Sequence, residues 1–223
     1  MILALDLSTA CVGWAKYDRS GKLLEYGRIV PPEEHRFLKI KYLVNQLNPL
    51  MLEAQVLVVE GIFLNTFAKG AQNVTGFELL ARLSGAVINS YLQNHQGLPT
   101  LYKATEARKL VGVKGSAQKA EIQLWVIRNF KVGKLIAVED DTTADIQDIT
   151  EEYLHDYECL IDAEYASLNA KEMVRETFKK HMSAISKKIE EETMIGEDIA
   201  DAILLGLAYV KDTRVEKTAE DVE

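Results

Sequence analysis

The stretch MILALDLSTACVGWAKYD, residues 1–18, decides the fold prediction because an apolar run leads directly into an acidic residue. Residues 2–5 are apolar and include a β-branched side chain, and the turn formers Ser8 and Thr9 follow them, which is typical of a buried strand. An ionised Asp6 at the end of such a strand is costly unless something pairs with it. Asp6 is therefore either a cap of the following turn or a functional carboxylate.

Further strand patterns predict a mixed α/β sheet. Apolar runs at residues 12–17 and 23–30 follow at the tight spacing that an antiparallel meander needs. Later runs, at residues 55–59 and within LPTLYKAT at residues 98–105, alternate with helical patterns, so we expect five strands flanked by helices. Thr105 and Ser116 are candidate N-caps of two of these helices. The helical patterns cover residues 34–47, 74–92, 106–110, 117–130, 163–192 and 197–209.

Composition excludes several classes of protein. A chain of 223 residues with 48% hydrophobic and 27% charged residues is typical of one soluble domain with an elaboration. The start of the chain lacks a signal-peptide pattern and no apolar run reaches membrane-spanning length, so we expect a cytoplasmic protein with no membrane partner. The two cysteines and four scattered histidines argue against a disulfide framework and a zinc site.

The net charge of −8 averages two unlike parts of the chain. Residues 1–134 contain 17 Lys and Arg against 10 Asp and Glu, whereas residues 135–223 contain 9 against 24. The basic part is compatible with a phosphate-binding surface. Residues 139–164 hold eleven acidic residues and no Lys or Arg, which favours a solvated segment.

Carboxylates occur at three places in the sequence that are best interpreted together. Glu60 follows an apolar strand just as Asp6 does, and Asp198 and Asp201, three residues apart, share one face at the start of the last helix. The structural alternative for the last pair is an ordinary acidic first turn. Four converging carboxylates would repel one another unless a divalent cation bound there. Oxygen ligands without His or Cys suit Mg²⁺ or Mn²⁺, and two such ions can hydrolyse a phosphodiester.

The order of these motifs resembles the RuvC family of Holliday junction resolvases, within the ribonuclease H-like superfamily. The matching stretches, within residues 1–134 and 197–210, are LALDLSTACVGWA, VVEGIF, ARLSGAVINSYL, VGVKGSAQKAEIQ and DIADAILLGLAYV. The resemblance implies a ribonuclease H-like α/β nuclease that resolves four-way junctions and other branched DNA with two Mg²⁺ ions, for which Mn²⁺ would substitute. It also implies a homodimer built on the helix at residues 74–92, in a bacterial cell or a phage-infected host.

The resemblance also implies roles for individual residues. Lys119 resembles the family's lysine near the scissile phosphate, at a helix N-terminus suited to anions, and its alternative is an ordinary solvated lysine. Phe63 stands where the family has an aromatic residue that stacks into the junction centre, and its alternative is a core position. The implied metal-binding catalytic acids are Asp6, Glu60, Asp198 and Asp201, and the implied DNA contacts are Phe63, Arg108, Lys109, Lys114 and Lys119.

The chain departs from the family pattern at residues 135–196, where the family has a short connection. We therefore expect one nuclease domain over residues 1–210, interrupted by this acidic and helical insertion, and a polar tail at residues 211–223. The insertion suits a phage-type member and is a DNA contact, an extension of the dimer interface or a surface elaboration. The rival functions are a non-catalytic branched-DNA-binding protein, an RNA–DNA hybrid nuclease and an actin-like ATPase or sugar kinase. A pure binder gains nothing from four carboxylates facing phosphates.

Overall fold

The computed structural model of the chain describes residues 1–61, 74–95, 97–132 and 168–220. Phe63 and the acidic stretch at residues 139–164 lie outside these ranges. The strands are β1 Ile2–Asp6, β2 Val12–Tyr17, β3 Leu23–Ile29, β4 Val56–Glu60 and β5 Thr100–Tyr102; the helices are α1 Arg36–Glu53, α2 Val74–Asn94, α3 Ala104–Val111, α4 Lys119–Phe130, α5 Leu168–Thr193 and α6 Glu197–Glu220.

The strands form one mixed sheet of five, in the order β3-β2-β1-β4-β5. The first three strands pair antiparallel as a meander, and β4 runs parallel to both β1 and β5. Because β1 and β4 are central and buried, both are nearly continuous apolar runs, as is usual for parallel strands covered on both faces. The predicted fold class is confirmed.

Two compact units make up the chain, and the first comprises Met1–Ala117 with Asp198–Glu223. Within this unit, one face of β1 and β4 buries a core against α1 and α2, which pack on each other. The core on this face includes Leu3, Leu5, Leu43, Leu47, Leu57, Val59, Leu83 and Val87. Alternation along the strand turns Ala4 and Asp6 to the opposite face, where α6 packs.

The second compact unit is Gln118–Glu197, and it contains α4 and α5. Apolar residues of α4 pack against Met182, Ile185 and Ile189 of α5. The buried Gln123 amide donates a hydrogen bond of 2.8 Å to the Ile195 carbonyl, which holds the chain after α5 against α4. No described helix is long and apolar enough to cross a membrane. The domain boundaries predicted from the sequence stay a prediction.

Two helix starts differ from the prediction because other groups satisfy the first backbone N–H groups. The N-cap of α3 is Lys103, not Thr105, and its carbonyl accepts the N–H groups of Glu106 and Ala107. The N-cap of α4 is Gln118, not Ser116, and Glu121 completes a reciprocal capping box with it. Local side-chain preference is a weak guide where several residues can serve as caps.

Two helices extend further than predicted, and tertiary contacts hold the residues that follow their predicted ends. Helix α1 continues through Pro49 to Glu53, since Met51 is buried in the core and its packing offsets the hydrogen bond that proline removes. Helix α6 continues past Tyr209 to Glu220. There, Lys211 donates to the Val111 carbonyl, and the Tyr102 hydroxyl donates to the Asp212 carboxylate at 2.6 Å.

Candidate active site

Strand register places Asp6 and Glu60 side by side. Leu5 pairs with Val59 in the parallel ladder between β1 and β4, so the next residues of the two strands are neighbours at the same sheet edge. Both side chains point to the face that α6 covers, because side chains alternate along a strand. The two carboxyls share a hydrogen bond.

Small residues let the start of α6 lie directly on the sheet. Gly13 pairs with Asp6 across the β1–β2 hairpin, and a Cβ at Gly13 would overlap the Asp198 carbonyl. Further along, a Cβ at Gly206 would overlap the ring of Tyr17. The Tyr17 hydroxyl donates a buried hydrogen bond of 2.7 Å to the Ile203 carbonyl. These contacts set the position of α6 along the sheet.

The position of α6 brings its two aspartates toward the strand carboxylates. Asp198 and Asp201 share one face of the first turn, while the helix buries Ile199, Ala200 and other apolar residues on the opposite side. Positive dipole charge at the helix N-terminus stabilises carboxylates placed there. The structure therefore brings together the four predicted acids from three separate elements.

Burial and mutual repulsion raise the pKa values of the two strand acids. Desolvation is the largest cause of the raised pKa of Asp6, which lies well above its usual range, and the charges of Glu60, Asp201 and Asp198 add to it. The pKa of Glu60 is also raised, by burial and then by Asp201, while the hydrogen bond from Asp6 and the charge of Arg108 oppose the rise. Both pKa values are raised for the same physical reason, because each carboxyl is buried beside other carboxylates.

A basic residue faces the acids from α3. The Arg108 Nη2 lies 3.6 Å from the Asp201 Oδ1, and only 16% and 18% of these two side chains are exposed. Burial of Arg108 does not favour a direct DNA contact, and that predicted role stays a prediction. Its neighbour Lys109 is exposed, as is Lys114 in the loop that follows α3.

The donor chemistry of the four acids fits a hard divalent cation, since all the ligand atoms are carboxylate oxygens and repulsion among them favours added positive charge. No group of three or more His, Cys, Asp or Glu side chains within the described ranges is already arranged to hold a metal ion. A bound ion would therefore have to draw these neighbouring carboxylates together.

Lys119 belongs to the second compact unit, where its ammonium forms an ion pair with the Glu197 carboxylate. About 64% of the Lys119 side chain is exposed. Glu197 also accepts a hydrogen bond of 2.9 Å from the Ser186 hydroxyl. Phe63 lies outside the described residues, so its predicted role is untested.

Sequence reasoning missed two residues that contact the acids. Gly13, which pairs with Asp6, lies against the Asp198 backbone. A glycine inside a strand is a sequence signal that another backbone or a ligand approaches closely. The Cys11 thiol donates a hydrogen bond to Asp198, and burial together with the charge of Asp198 raises the pKa of Cys11 to about 12. No sequence pattern indicates that second contact.

Comparison with known proteins identifies the fold. No protein-family model matches the sequence, and no curated protein matches it. Among solved structures, the chain is similar to RuvC of Thermus thermophilus, with a TM-score of 0.52 at 12% identity, covering 96% of both chains. It is also similar to T. thermophilus RuvC in complex with a Holliday junction substrate, with a TM-score of 0.55 at 11% identity, covering 96% of this chain and 94% of the other. The chain therefore has the fold of RuvC.

Proposed function

We propose that the protein is a metal-dependent endonuclease that cuts four-way DNA junctions and possesses some activity on other branched DNA. The observation that carries this proposal is the convergence of four carboxylates from β1, β4 and the start of α6. Similarity to a RuvC structure that holds a Holliday junction substrate supports the choice of substrate. Fold alone does not determine function, so the proposal depends on the chemistry of the site.

The four acids would hold two Mg²⁺ ions, or Mn²⁺ in their place. When bound, such ions activate water and stabilise the leaving oxygen of a phosphodiester. Asp6 and Glu60 lie on rigid central strands, which suits ligands that must be held in place. Asp198 and Asp201 complete the set from the helix start, where the dipole offsets part of their charge.

Exposed lysines would hold the DNA. Helix α3 faces Asp201 with Arg108 and exposes Lys109 on its other side, beside an open trough of about 520 Å³ lined by Lys103, Thr105, Glu106, Lys109 and Leu110. Phosphate contacts of exposed lysines position a duplex without reading its sequence. Lys114 and Lys119 are proposed as further phosphate contacts, Lys119 being the one near the scissile phosphate.

The decisive experiment is cleavage of an end-labelled immobile four-way junction beside matched duplex, fork and RNA–DNA hybrid substrates. Each substrate is incubated with Mg²⁺, with Mn²⁺ and with EDTA. We expect paired nicks in opposing strands of the junction with either metal and none with EDTA. The variants Asp6→Asn and Glu60→Gln should lose at least about 100-fold in rate, because each removes a metal ligand. Glu34→Gln, an exposed acid far along the chain from the four, is the matched control and should cut normally.

The other outcomes separate the rival functions. Tight junction binding without cleavage under any metal would indicate a non-catalytic binding protein. Preferential cutting of the hybrid would indicate an RNA–DNA hybrid nuclease. Cleavage that survives Asp6→Asn would contradict the proposed site.

A further inference from the structure

Arg108 and Lys109 are adjacent in sequence but lie in opposite environments. Helix α3 buries Ala107 and Val111, and the Arg108 side chain lies on the edge of that buried face. Lys109 points to solvent. An arginine that meets DNA needs an exposed guanidinium, so the direction of Arg108 indicates a different task.

The Arg108 guanidinium bridges two parts of the first compact unit. Its Nη1 donates to the Ala117 carbonyl at 3.2 Å and approaches the Gly115 carbonyl at 3.5 Å. Its Nη2 faces Asp201, as described above. The planar fork of arginine can hold a loop and a carboxylate at once, which a single ammonium cannot do equally well.

The Arg108 backbone holds the same loop from its other end. The Arg108 carbonyl accepts the Val113 N–H at 2.8 Å and also receives the N–H of Gly112, which ends α3 with a φ of +89°. Residues 112–117, here called the glycine loop, are therefore fastened at both ends to one residue. Exposed Lys114 lies in the middle of this loop.

The charge on Arg108 is only partly compensated within the described residues. Its Nε is buried and has no hydrogen-bond partner there, and the contact between its Nη2 and the Asp201 Oδ1 is long, at 3.6 Å. A buried charge is costly unless its partners are well placed. The position of the Arg108 guanidinium beside several carboxylates therefore indicates that their negative charge stabilises it. Removing the guanidinium would release the loop, and it would leave less positive charge beside the negatively charged acids.

We infer that Arg108 is a positioning residue, which fastens the glycine loop to Asp201 and does not contact DNA. Its effect on cleavage rests on the proposed function, whereas the fastening of the loop does not. Two measurements therefore test the two parts separately.

The first measurement is limited trypsin digestion of the full chain without DNA or metal, following the bond between Lys114 and Gly115 by mass spectrometry. We expect Arg108→Gln to speed this cleavage at least about 10-fold, because tryptic cleavage of a held loop needs local opening. Arg108→Lys, which keeps the charge without the fork, should speed it about threefold and covers the case in which the glutamine variant does not fold. Glu106→Gln, an exposed change on the same helix, should match the wild type within twofold. Wild-type rates in both Arg108 variants would overturn the inference.

The second measurement is steady-state cleavage of the four-way junction. Arg108→Gln should lower kcat about 10- to 100-fold with KM changed less than twofold, because a misplaced ligand affects the chemical step. Arg108→Lys should recover part of the loss in kcat. Lys109→Gln should show the reverse pattern, a raised KM with kcat nearly unchanged, as expected of a phosphate contact. A rise in KM alone for Arg108→Gln would overturn the inference in favour of a DNA contact. If the wild type cuts no junction, the proposed function fails and the digestion still decides whether Arg108 fastens the loop.

Discussion

At the scale of single residues, burial and neighbouring negative charges together raise the pKa of Asp6. Its carboxyl ends a buried strand and shares a hydrogen bond with Glu60, with two more aspartates nearby, and burial is the largest cause of its raised pKa. The folded protein therefore holds a proton on Asp6 at pH values where the unfolded chain has released it. Stability must then fall as pH rises from the unfolded pKa, about 4, toward the folded one.

This linkage predicts the behaviour of Asp6→Asn without metal. In EDTA, the free energy of unfolding of the variant minus that of the wild type should be close to zero near pH 4 and should grow steadily as the pH is raised toward 8, because asparagine does not ionise. Urea denaturation across that pH range measures the difference. A difference independent of pH would contradict the raised pKa, and Glu34→Gln serves again as the exposed control.

Cys11 offers a second test at this scale. With a pKa of about 12, its thiol should be almost entirely protonated at pH 8 and should react with iodoacetamide far more slowly than an unfolded cysteine. In a Cys159→Ser background, Asp198→Asn should accelerate alkylation of Cys11 at least about 10-fold, since it removes the hydrogen-bonded negative charge. Equal rates in the two proteins would show that Asp198 does not control this thiol.

At the scale of elements, the site depends on how closely α6 approaches the sheet. Gly13 and Gly206 each face a neighbour that a Cβ would overlap, the first at the Asp198 backbone and the second at Tyr17. The acids of α6 reach the strands because the sheet presents small residues, including Ala4 and Ala15, beneath the helix. Close packing leaves little space for relaxation at such a contact.

Gly13→Ala should therefore damage both stability and the site. We expect a loss of about 1 to 3 kcal/mol in the free energy of unfolding, as for other overpacked positions, together with a loss of junction cleavage as Asp198 shifts. Gly76→Ala is the matched control, because nothing lies within 4 Å of the added methyl group on α2. Thermal denaturation and the junction assay measure the two effects. A Gly13→Ala protein with wild-type stability and activity would mean that α6 has room to move.

At the scale of the whole molecule, the proposed resolution of a four-way junction needs two cuts, and the described residues of one chain supply one candidate set of four acids. A twofold symmetric dimer would provide the second site. Helix α2 presents a row of exposed positions, Arg82, Gly85, Asn89 and Leu92, spaced three or four residues apart. A Cβ at Gly85 would meet nothing within 4 Å in the single chain. These features support the proposal that α2 forms the dimer interface.

The dimer proposal predicts that Gly85→Glu produces a monomer, because a charged side chain would be buried at the centre of the interface without a partner. Sedimentation equilibrium at micromolar concentration measures the mass. Gln46→Glu adds the same charge on the exposed side of α1 and should remain a dimer. A wild-type protein that is monomeric throughout this concentration range would contradict the proposal.

The sequence by itself determined the five strands, the mixed order of the sheet and the identity of the candidate acids, because strand periodicity and carboxylates after apolar runs are local signals. Only the tertiary structure decided the inward direction of Arg108, the contact of Gly13 with Asp198 and the extension of α6 past Tyr209. Each of these depends on groups that are far apart in the chain and meet only after folding. The cap of α4 was also decided by the structure. The sequence offers Ser116 as a candidate N-cap, but Gln118 caps this helix, in a reciprocal pair with Glu121.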